Sequence, residues 1–403
     1  MQCKVNVPLL KTAIIFAKET VANKKKASLP VTSHLLLKLS EGHLMICSTD
    51  LSSSTRLTIP VLEYDESEMS FRDGICVEAD KFSEYIKIVP SDILDLRIEG
   101  RTMKLKCTYG KSVSRFNGMP GDEFPLIREV STSGFTLPTS DLLSAFRLVS
   151  FSAANKDWGG SETLTAINFS VNGDTLSMTT TDGFRLSDMH RPVSSSVNFS
   201  CLIPASASNS LAKMIRDSDS IGIVGDEKSV QFNFFTTEDN IIVSFTSQVI
   251  NARYPDTQKL IPQHKMFDAW VDGGALRKAL KTVMTFDTSK VQVGCNVNTL
   301  CLSTVRLEHG NVNIELDTNY IDGVLEKPLF ISASYLNDVV SRSPADSEIH
   351  FGVAPFGGNR SVVIEIGSIG DNYHHVVATL ADDPVEDSSE EDHAVYTPSE
   401  IQQ

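Results

Sequence analysis

The chain has 403 residues, of which 41% are hydrophobic and 22% charged, and its formal net charge is −15. This length is too great for one hydrophobic core and predicts two to four domains, while the composition is ordinary for a globular protein. No apolar run approaches the roughly 18 residues of a membrane span, and the N-terminus lacks the apolar core of a signal peptide. We therefore expect a cytoplasmic protein with no membrane partner.

The first helix pattern of the chain occurs three times. Apolar residues spaced as i, i+3, i+4 and i+7 predict one buried face of a helix. Three sets have that spacing: Leu10, Ala13, Ile14 and Ala17; Leu142, Ala145, Phe146 and Val149; Leu276, Ala279, Leu280 and Val283. The leucines that begin these sets are 132 and 134 residues apart. The spacing indicates a repeated unit of about one domain in length.

Two further elements follow each of these helices in the same order. A strand is predicted over residues 44–50, 176–182 and 300–306, each beginning with Leu and preceded by turn residues. A second, shorter helix pattern then recurs as Phe82, Tyr85 and Ile86; Leu211, Met214 and Ile215; Leu336, Val339 and Val340. Each unit is thus predicted as helix, strands, helix, strands.

We therefore predict an α+β fold of three repeated modules, each with two helices packed on antiparallel sheet. Proline and turn residues near 125–134 and 255–265 suggest the boundaries. The predicted modules span residues 1–127, 128–260 and 261–380. Residues 381–403 contain eight acidic residues and no Lys or Arg, so they are predicted to form an acidic, disordered tail.

The predicted helices carry more basic than acidic side chains although the whole chain is acidic. If the helices share one surface, that surface would attract the DNA backbone without reading base sequence. The residues predicted to face DNA are Lys11, Lys18, Lys81, Arg147, Lys213, Arg277 and Lys281 in helices, and Lys24, Lys25, Lys26, Lys156 and Trp158 in two loops. The alternatives are that each basic residue only solubilises its helix, and that Trp158 anchors its loop instead of stacking on a base.

Nothing in the sequence predicts catalysis or a cofactor. Neither a GxxxxGK[ST] phosphate loop nor a GxSxG nucleophile motif occurs, and the seven cysteines lack CxxC or zinc-finger spacing. His374 and His375 are neighbours in a predicted strand, so they would point to opposite faces and not share a metal ion. Asp50 and Asp182 occupy equivalent places in two modules, which favours turn or capping roles.

Several segments resemble one known family over nearly the whole chain. The most specific is 181–186, TDGFRL, which matches the TDG-x-RL segment of bacterial DNA polymerase III beta subunits. Residues 9–31, the segment 116–125 (FNGMPGDEFP) and 253–256 (RYPD) are also similar to that family. The resemblance implies a non-enzymatic processivity factor: a head-to-tail ring of two subunits and six modules, with the helices lining a hole that holds duplex DNA.

The resemblance also implies partners and the residues that meet them. A clamp loader would open the ring, and replicative and repair polymerases would bind through short linear peptides. Phe116, with Met284 or Phe286, would form the subunit contact. The peptide pocket, between modules 2 and 3, would use Leu164, Thr181, Gly183, Phe184, Arg185, Leu186, Pro255, Lys259, Leu260, Tyr335, Val376, Val377 and Ala378. The family's final strand usually contains Met and Pro, whereas 373–380 has Val and Ala there. The alternative is a repeat-built scaffold that binds peptides without encircling DNA.

Overall fold

The computed structural model describes most of the chain up to Leu380. The described residues are 2–25, 27–65, 73–132, 134–155, 161–195, 197–215, 219–236, 240–286, 289–304, 310–344, 346–356, 359–367, 369 and 372–380. The predicted tail 381–403 therefore lies outside the described residues, and so do Lys26, Lys156, Trp158 and Arg306.

The helices and strands recur in three groups, which we call modules 1 to 3. Module 1 contains β1 (Gln2–Asn6), α1 (Val7–Ala17), β2 (His34–Ser40), β3 (His43–Thr49), β4 (Ser53–Pro60), β5 (Glu63–Asp65), β6 (Ile75–Glu78), α2 (Ala79–Ile88), β7 (Ile93–Glu99), β8 (Lys104–Tyr109) and β9 (Ser112–Pro120). Module 2 contains β10 (Phe135–Pro138), α3 (Thr139–Val149), β11 (Ala166–Asn172), β12 (Thr175–Thr181), β13 (Arg185–Pro192), β14 (Phe199–Pro204), α4 (Ala205–Met214), β15 (Ser220–Gly225), β16 (Ser229–Thr236) and β17 (Ile241–Gln248). Module 3 contains β18 (Phe267–Asp272), α5 (Gly273–Met284), β19 (Lys290–Asn296), β20 (Thr299–Thr304), β21 (Asn313–Gly323), β22 (Leu329–Ser332), α6 (Ala333–Arg342), β23 (Glu348–Phe356), β24 (Asn359–Ile366) and β25 (Tyr373–Ala378).

The α+β fold is confirmed, and each module contributes two layers of antiparallel sheet with four strands each, to which module 1 adds β5 beside β1. In module 2 the layers follow the orders β14-β11-β12-β13 and β10-β15-β16-β17. The same orders, β6-β2-β3-β4 with β1-β7-β8-β9 and β22-β19-β20-β21 with β18-β23-β24-β25, occur in modules 1 and 3. The predicted boundaries at 127/128 and 260/261 fall in the connections that follow β9 and β17.

The two junctions between modules are built by one rule. The last strand of one layer pairs antiparallel with the final strand of the next module, β4 with β17 and β13 with β25. Hydrogen-bonded sheet therefore runs through both junctions. The edge of β21 over Asn313–Asp317 and the edge of β9 over Ser112–Asn117 pair on one side only within the described residues.

The predicted helix faces are confirmed by burial. The twelve apolar residues predicted for the first helices, four in each module, all lie in the core, and so do Phe82, Ile86, Leu211, Met214, Leu336, Val339 and Val340 of the second helices. Tyr85 is half-buried, and Ile215 lies one residue beyond the end of α4. Side-chain caps at Asn6, Asp272 and Ser332 satisfy amide groups at the starts of α1, α5 and α6.

Candidate functional site

The six helices form one continuous row along the chain. Helix α2 contacts α1, the 3-10 turn Lys18–Thr20 after α1 contacts α4, α4 contacts α3, α3 contacts α6, and α6 contacts α5. The helices that carry the predicted DNA-facing residues of the three modules therefore lie along one row. Between α4 and module 1 the contact includes an ion pair of Lys213 with Glu19 at 2.9 Å.

The cations on this row fall into two groups. Lys18, Lys81 and Lys213 pair with Asp80, Glu84 and Glu19 at 2.9 to 3.1 Å. Such solvent-exposed pairs are weak and are screened by salt, so they can exchange with phosphate. Lys11, Arg147 and Lys281 form no ion pair with another described residue, and Arg147 and Lys281 are exposed.

Arg277 has a structural role that differs from its predicted one. Its Nη2 atom donates hydrogen bonds to the carbonyl oxygens of Val340, at 3.0 Å, and Ser343, at 2.7 Å. These carbonyls lie at the end of α6, where helices leave acceptors unsatisfied. The guanidinium therefore joins α5 to α6, and only the remaining part of the side chain can meet DNA.

The loop 23–26 is described in part. Lys24 pairs with Glu78 at 2.8 Å, while Lys25 is exposed and its backbone amide donates to Asn23 Oδ1. The other loop predicted to meet DNA, with Lys156 and Trp158, lies outside the described residues, as does Lys26.

A second candidate site is a cleft at the junction of modules 2 and 3. It begins at the turn between β12 and β13, where Asp182 Oδ1 accepts hydrogen bonds from the amides of Phe184 and Arg185. Thr181 Oγ1 donates to the Arg185 carbonyl and accepts from the Gly183 amide. Gly183 has φ +92°, which glycine adopts without strain. This arrangement leaves Phe184 with 58% of its surface exposed at the cleft.

The cleft has a volume of about 60 Å³ and mostly apolar walls. Eight of the thirteen residues predicted for the peptide pocket line it: Thr181, Gly183, Phe184, Arg185, Leu186, Leu260, Val376 and Ala378. Ser361 of β24 also lines it and was missed, because nothing in its local sequence marks it. Pro255 and Lys259 are exposed in the adjacent connection, and Leu164 is half-buried in the 3-10 turn Glu162–Thr165.

Arg185 is held by residues on both sides of the junction between modules 2 and 3. Its Nη1 atom bonds Asp338 Oδ2 at 2.6 Å, its Nε atom bonds Asp182 Oδ2 at 3.0 Å, and its Nη2 atom bonds the Phe151 carbonyl at 2.7 Å. The guanidinium also lies over the Tyr335 ring, 4.3 Å from its centroid. Tyr335 therefore packs against the guanidinium of Arg185. Val377, which was also predicted for the pocket, is fully buried.

A buried polar chain lies beside this arginine. Ser152 Oγ, Ser187 Oγ and His375 Nδ1 are linked by contacts of 2.7 and 2.9 Å. Burial, with the positive charges of Arg185 and Arg342, lowers the pKa of His375 to about 3, so its ring is neutral at neutral pH.

The neighbouring His374 points to the opposite face of β25, as its sequence position predicts. There its Nδ1 atom lies 3.2 Å from Glu365 Oε1. Although burial raises the pKa of Glu365, hydrogen bonds from His374 and Lys265 outweigh burial and lower it to about 2. Both histidines therefore have structural partners.

The residues predicted for a subunit contact lie in module 1 and module 3. Phe116 of β9 is half-buried against Phe82 and Tyr85, with ring centroids 5.4 and 5.0 Å apart. Met284 and Phe286 are half-buried at the end of α5. All three are partly accessible, which a contact with a second copy requires.

The remaining sequence predictions concern chemistry. Asp50 caps its own turn, accepting from the amides of Ser52 and Ser53, as predicted. Burial raises the pKa of the Cys3 and Cys201 thiols to about 12, which makes them unreactive. Across the described ranges, no cluster of three His, Cys, Asp or Glu side chains could hold a metal ion. Nor does any described helix combine the length and apolar character needed to cross a membrane.

Comparison with known proteins agrees with this fold. Residues 1–128 match the model for the DNA polymerase III beta subunit N-terminal domain, and 136–256 match the model for its central domain. The chain is 26% identical over 325 residues to a beta sliding clamp of Pseudomonas aeruginosa, covering 79% of this chain and 84% of that one. It is also 26% identical over 331 residues to a beta sliding clamp of Vibrio cholerae, covering 80% and 85%.

Solved structures share the whole architecture. A DNA polymerase sliding clamp from Bacillus subtilis superposes with a TM-score of 0.84 at 20% identity, over 95% of this chain and all of that one. A P. aeruginosa sliding clamp bound to griselimycin gives a TM-score of 0.82 at 22% identity, with the same coverage. Three repeated modules, each with two helices packed on antiparallel sheet, define a DNA-clamp protein. The chain belongs to the DNA polymerase III beta subunit family.

Proposed function

We propose that this protein is a sliding clamp: a ring of two chains that encircles duplex DNA and tethers polymerases to it. The observation that carries the proposal is the strand rule at the two junctions, β4 with β17 and β13 with β25. The same rule leaves β21 of module 3 and β9 of module 1 as the two strands still to be paired. Two copies joined head to tail, β21 to β9, satisfy both edges and close a ring of six modules.

The charges on the two edges support this pairing. The exposed side chains on the free half of β21 include Glu315 and Asp317, and those on β9 include Arg115. Opposite charges across paired strands stabilise them, and like charges destabilise them. Phe116, Met284 and Phe286 would supply the apolar part of the contact.

The subunit contact can be tested by reversing these charges. Glu315→Lys with Asp317→Lys is expected to weaken the dimer by about tenfold, because like charges then face each other. Adding Arg115→Glu restores it. The matched control is Asp322→Lys, on the half of β21 that already pairs with β18. Light scattering over a concentration series measures the equilibrium, and a wild-type monomer at every concentration contradicts the ring.

DNA would be held by topology and by the diffuse charge of the helix row. A closed ring cannot leave DNA sideways, so it needs little affinity and can slide. The chain has no ATPase motif, so a separate clamp loader would open the ring. After loading on nicked circular DNA, linearising the circle is expected to release the protein from the free ends. Retention on linear DNA would instead indicate ordinary binding, the outcome expected of a scaffold that does not encircle DNA.

Partner proteins would bind at the cleft between modules 2 and 3. Phe184, Leu186, Leu260 and Val376 give apolar walls for a leucine- or phenylalanine-type side chain. Because the ring slides with its cargo, a polymerase bound there is held at high effective concentration near the primer end. The expected result of Phe184→Ser is normal loading on DNA with loss of processive synthesis in a primer-extension assay.

A further inference from the structure

The junction of modules 1 and 2 contains a cleft much larger than the one at modules 2 and 3. Its volume is about 540 Å³, within the range of ligand-binding pockets. Three segments line it: the β3–β4 turn over 49–54, the connection 125–128, and the adjoining parts of β16 and β17 with the residues around them. These are the same three kinds of segment that line the cleft between modules 2 and 3.

The turns at the two clefts have the same hydrogen bonds. Thr49 Oγ1 donates to the Ser53 carbonyl at 2.8 Å and accepts from the Leu51 amide at 3.0 Å. Thr181 Oγ1 makes the equivalent bonds to residues four and two positions later. Asp50 and Asp182 each accept from the amides two and three positions later. The turn at the module 1–2 cleft therefore has the same backbone arrangement as the turn at the module 2–3 cleft, but it carries different side chains.

Two leucines at the module 1–2 cleft are exposed to solvent. Leu126 in the connection is 97% exposed, and Leu51 in the turn is 38% exposed. Leu51 also has φ +76°, a left-handed conformation that costs energy in any residue with a Cβ atom, where module 2 has Gly183. A strained, exposed leucine beside a second exposed leucine in one cleft suggests an apolar ligand group between them.

The rest of the lining is mixed: Pro125, Ile127 and Val249 are apolar, most of the other residues are polar, and two cations accompany one acid. Arg128 and Lys228 are the two cations and Glu227 is the acid, in a chain whose net charge is −15. Lys228 is exposed, and Arg128 reaches Asp226 Oδ2 at 2.6 Å with 47% of its side chain still exposed. Hydroxyl and amide groups of Ser54, Thr246 and Gln248 complete the walls. Because Arg128 is already paired with Asp226, Lys228 is the cation that favours a carboxylate in the ligand.

We propose that the cleft between modules 1 and 2 is a second peptide-binding site. Its ligand is a short extended segment of a partner protein, with a leucine-type side chain between Leu51 and Leu126 and a carboxylate near Lys228 and Arg128. The analogy with the peptide pocket between modules 2 and 3 rests on the proposed function, but the module 1–2 cleft, its leucines and its charges do not. Each chain then binds two peptides, one at each junction.

A defined probe tests the site on the full-length protein. The probe is the acidic peptide acetyl-Asp-Leu-Glu-Leu-Phe-amide, titrated by calorimetry, and its basic analogue has Lys in place of both acids. Wild type is expected to bind two acidic peptides per chain. Leu126→Ser is expected to weaken one of them by about tenfold or more, because a buried leucine contact is lost. Leu126 is exposed, so this change leaves folding intact.

The matched variant is Phe184→Ser. It is expected to abolish peptide binding at the module 2–3 cleft and to leave binding at the module 1–2 cleft unchanged. One bound peptide that is lost in Phe184→Ser and unaffected in Leu126→Ser overturns the second site and leaves the proposed function standing. Two peptides of which neither responds to Phe184→Ser contradicts the proposed partner pocket instead. Failure of the acidic probe to bind at the module 1–2 cleft, or equal binding of its basic analogue there, overturns the chemistry proposed for that cleft.

Discussion

The two junctions of this chain share a backbone and differ in side chains. Where module 2 places Arg185 after its turn, module 1 places Ser53, since each is the third residue after the capping aspartate. Where β25 places His375 opposite Ser187, β17 places Phe245 opposite Thr55. Arg185 bonds Asp338 and Phe151 at a narrow, mostly apolar cleft, whereas Ser53 lies in a wide cleft whose lining is partly polar and partly apolar. One strand pairing can thus support two binding surfaces of different chemistry.

The largest effect is expected from removing Arg185. Its side chain is 10% exposed, so Arg185→Met leaves Asp182 and the Phe151 carbonyl without their charged partner and leaves Asp338 paired with Arg342 alone. Breaking a buried ion pair on one side costs about 3 kcal/mol of unfolding free energy. Thermal or urea unfolding measures the loss. Lys213→Met is the control at the other junction, where an exposed ion pair is broken and little change is expected. Equal losses of unfolding free energy in the two variants would contradict the stronger role of the ion pair at the second junction.

A pH effect between pH 6.5 and about 3 is expected at the second junction, where His375 is buried. The pKa of His375 is about 3 in the folded protein, below its ordinary value of 6.5, so the unfolded chain binds the proton first. Stability is then complete above pH 6.5 and falls by about 1.4 kcal/mol per pH unit as the pH drops toward 3.

The substitution His375→Phe copies the residue at the equivalent place in β17. It is expected to flatten the slope between pH 6 and pH 4.5 while lowering the stability at neutral pH, because Ser187 loses its contact with His375 and keeps only that with Ser152. Urea unfolding at a series of pH values separates the two effects. A slope in the variant as steep as that of wild type would show that other groups cause the acid lability.

The smallest effects come from exchanging the left-handed residues of the two turns. Leu51→Gly is expected to gain about 1 kcal/mol at φ +76°, and Gly183→Ala to lose a similar amount at φ +92°. No atom lies within 4 Å of a Cβ added at Gly183, so the loss would come from the backbone alone. Opposite shifts in melting temperature support the matched turns, and shifts of the same sign contradict them.

The sequence predicted the helices well because helical periodicity is local. Leu10, Leu142 and Leu276 all lie on buried helix faces, and the threefold order of elements predicted the modules. The pairing of β4 with β17 was beyond this approach, because Ser53 and Ser247 are far apart in sequence and no local pattern joins them. The partners of Arg185 were missed for the same reason, since Asp338 is 153 residues away. The module 1–2 cleft was missed because its turn has Leu51 at the position of Gly183 in module 2, where a glycine would have indicated a matching turn.

The continuous sheet at each junction also decides where a ring of this kind would yield under load. Six residue pairs join β4 to β17 and five join β13 to β25, and at both places the chain itself also connects the modules. A seam between β21 and β9 of another copy has strand pairing but no covalent link. Tension around such a ring would therefore open a seam first, and the modules of each chain would move together. Breaking either one of the two seams would open the ring.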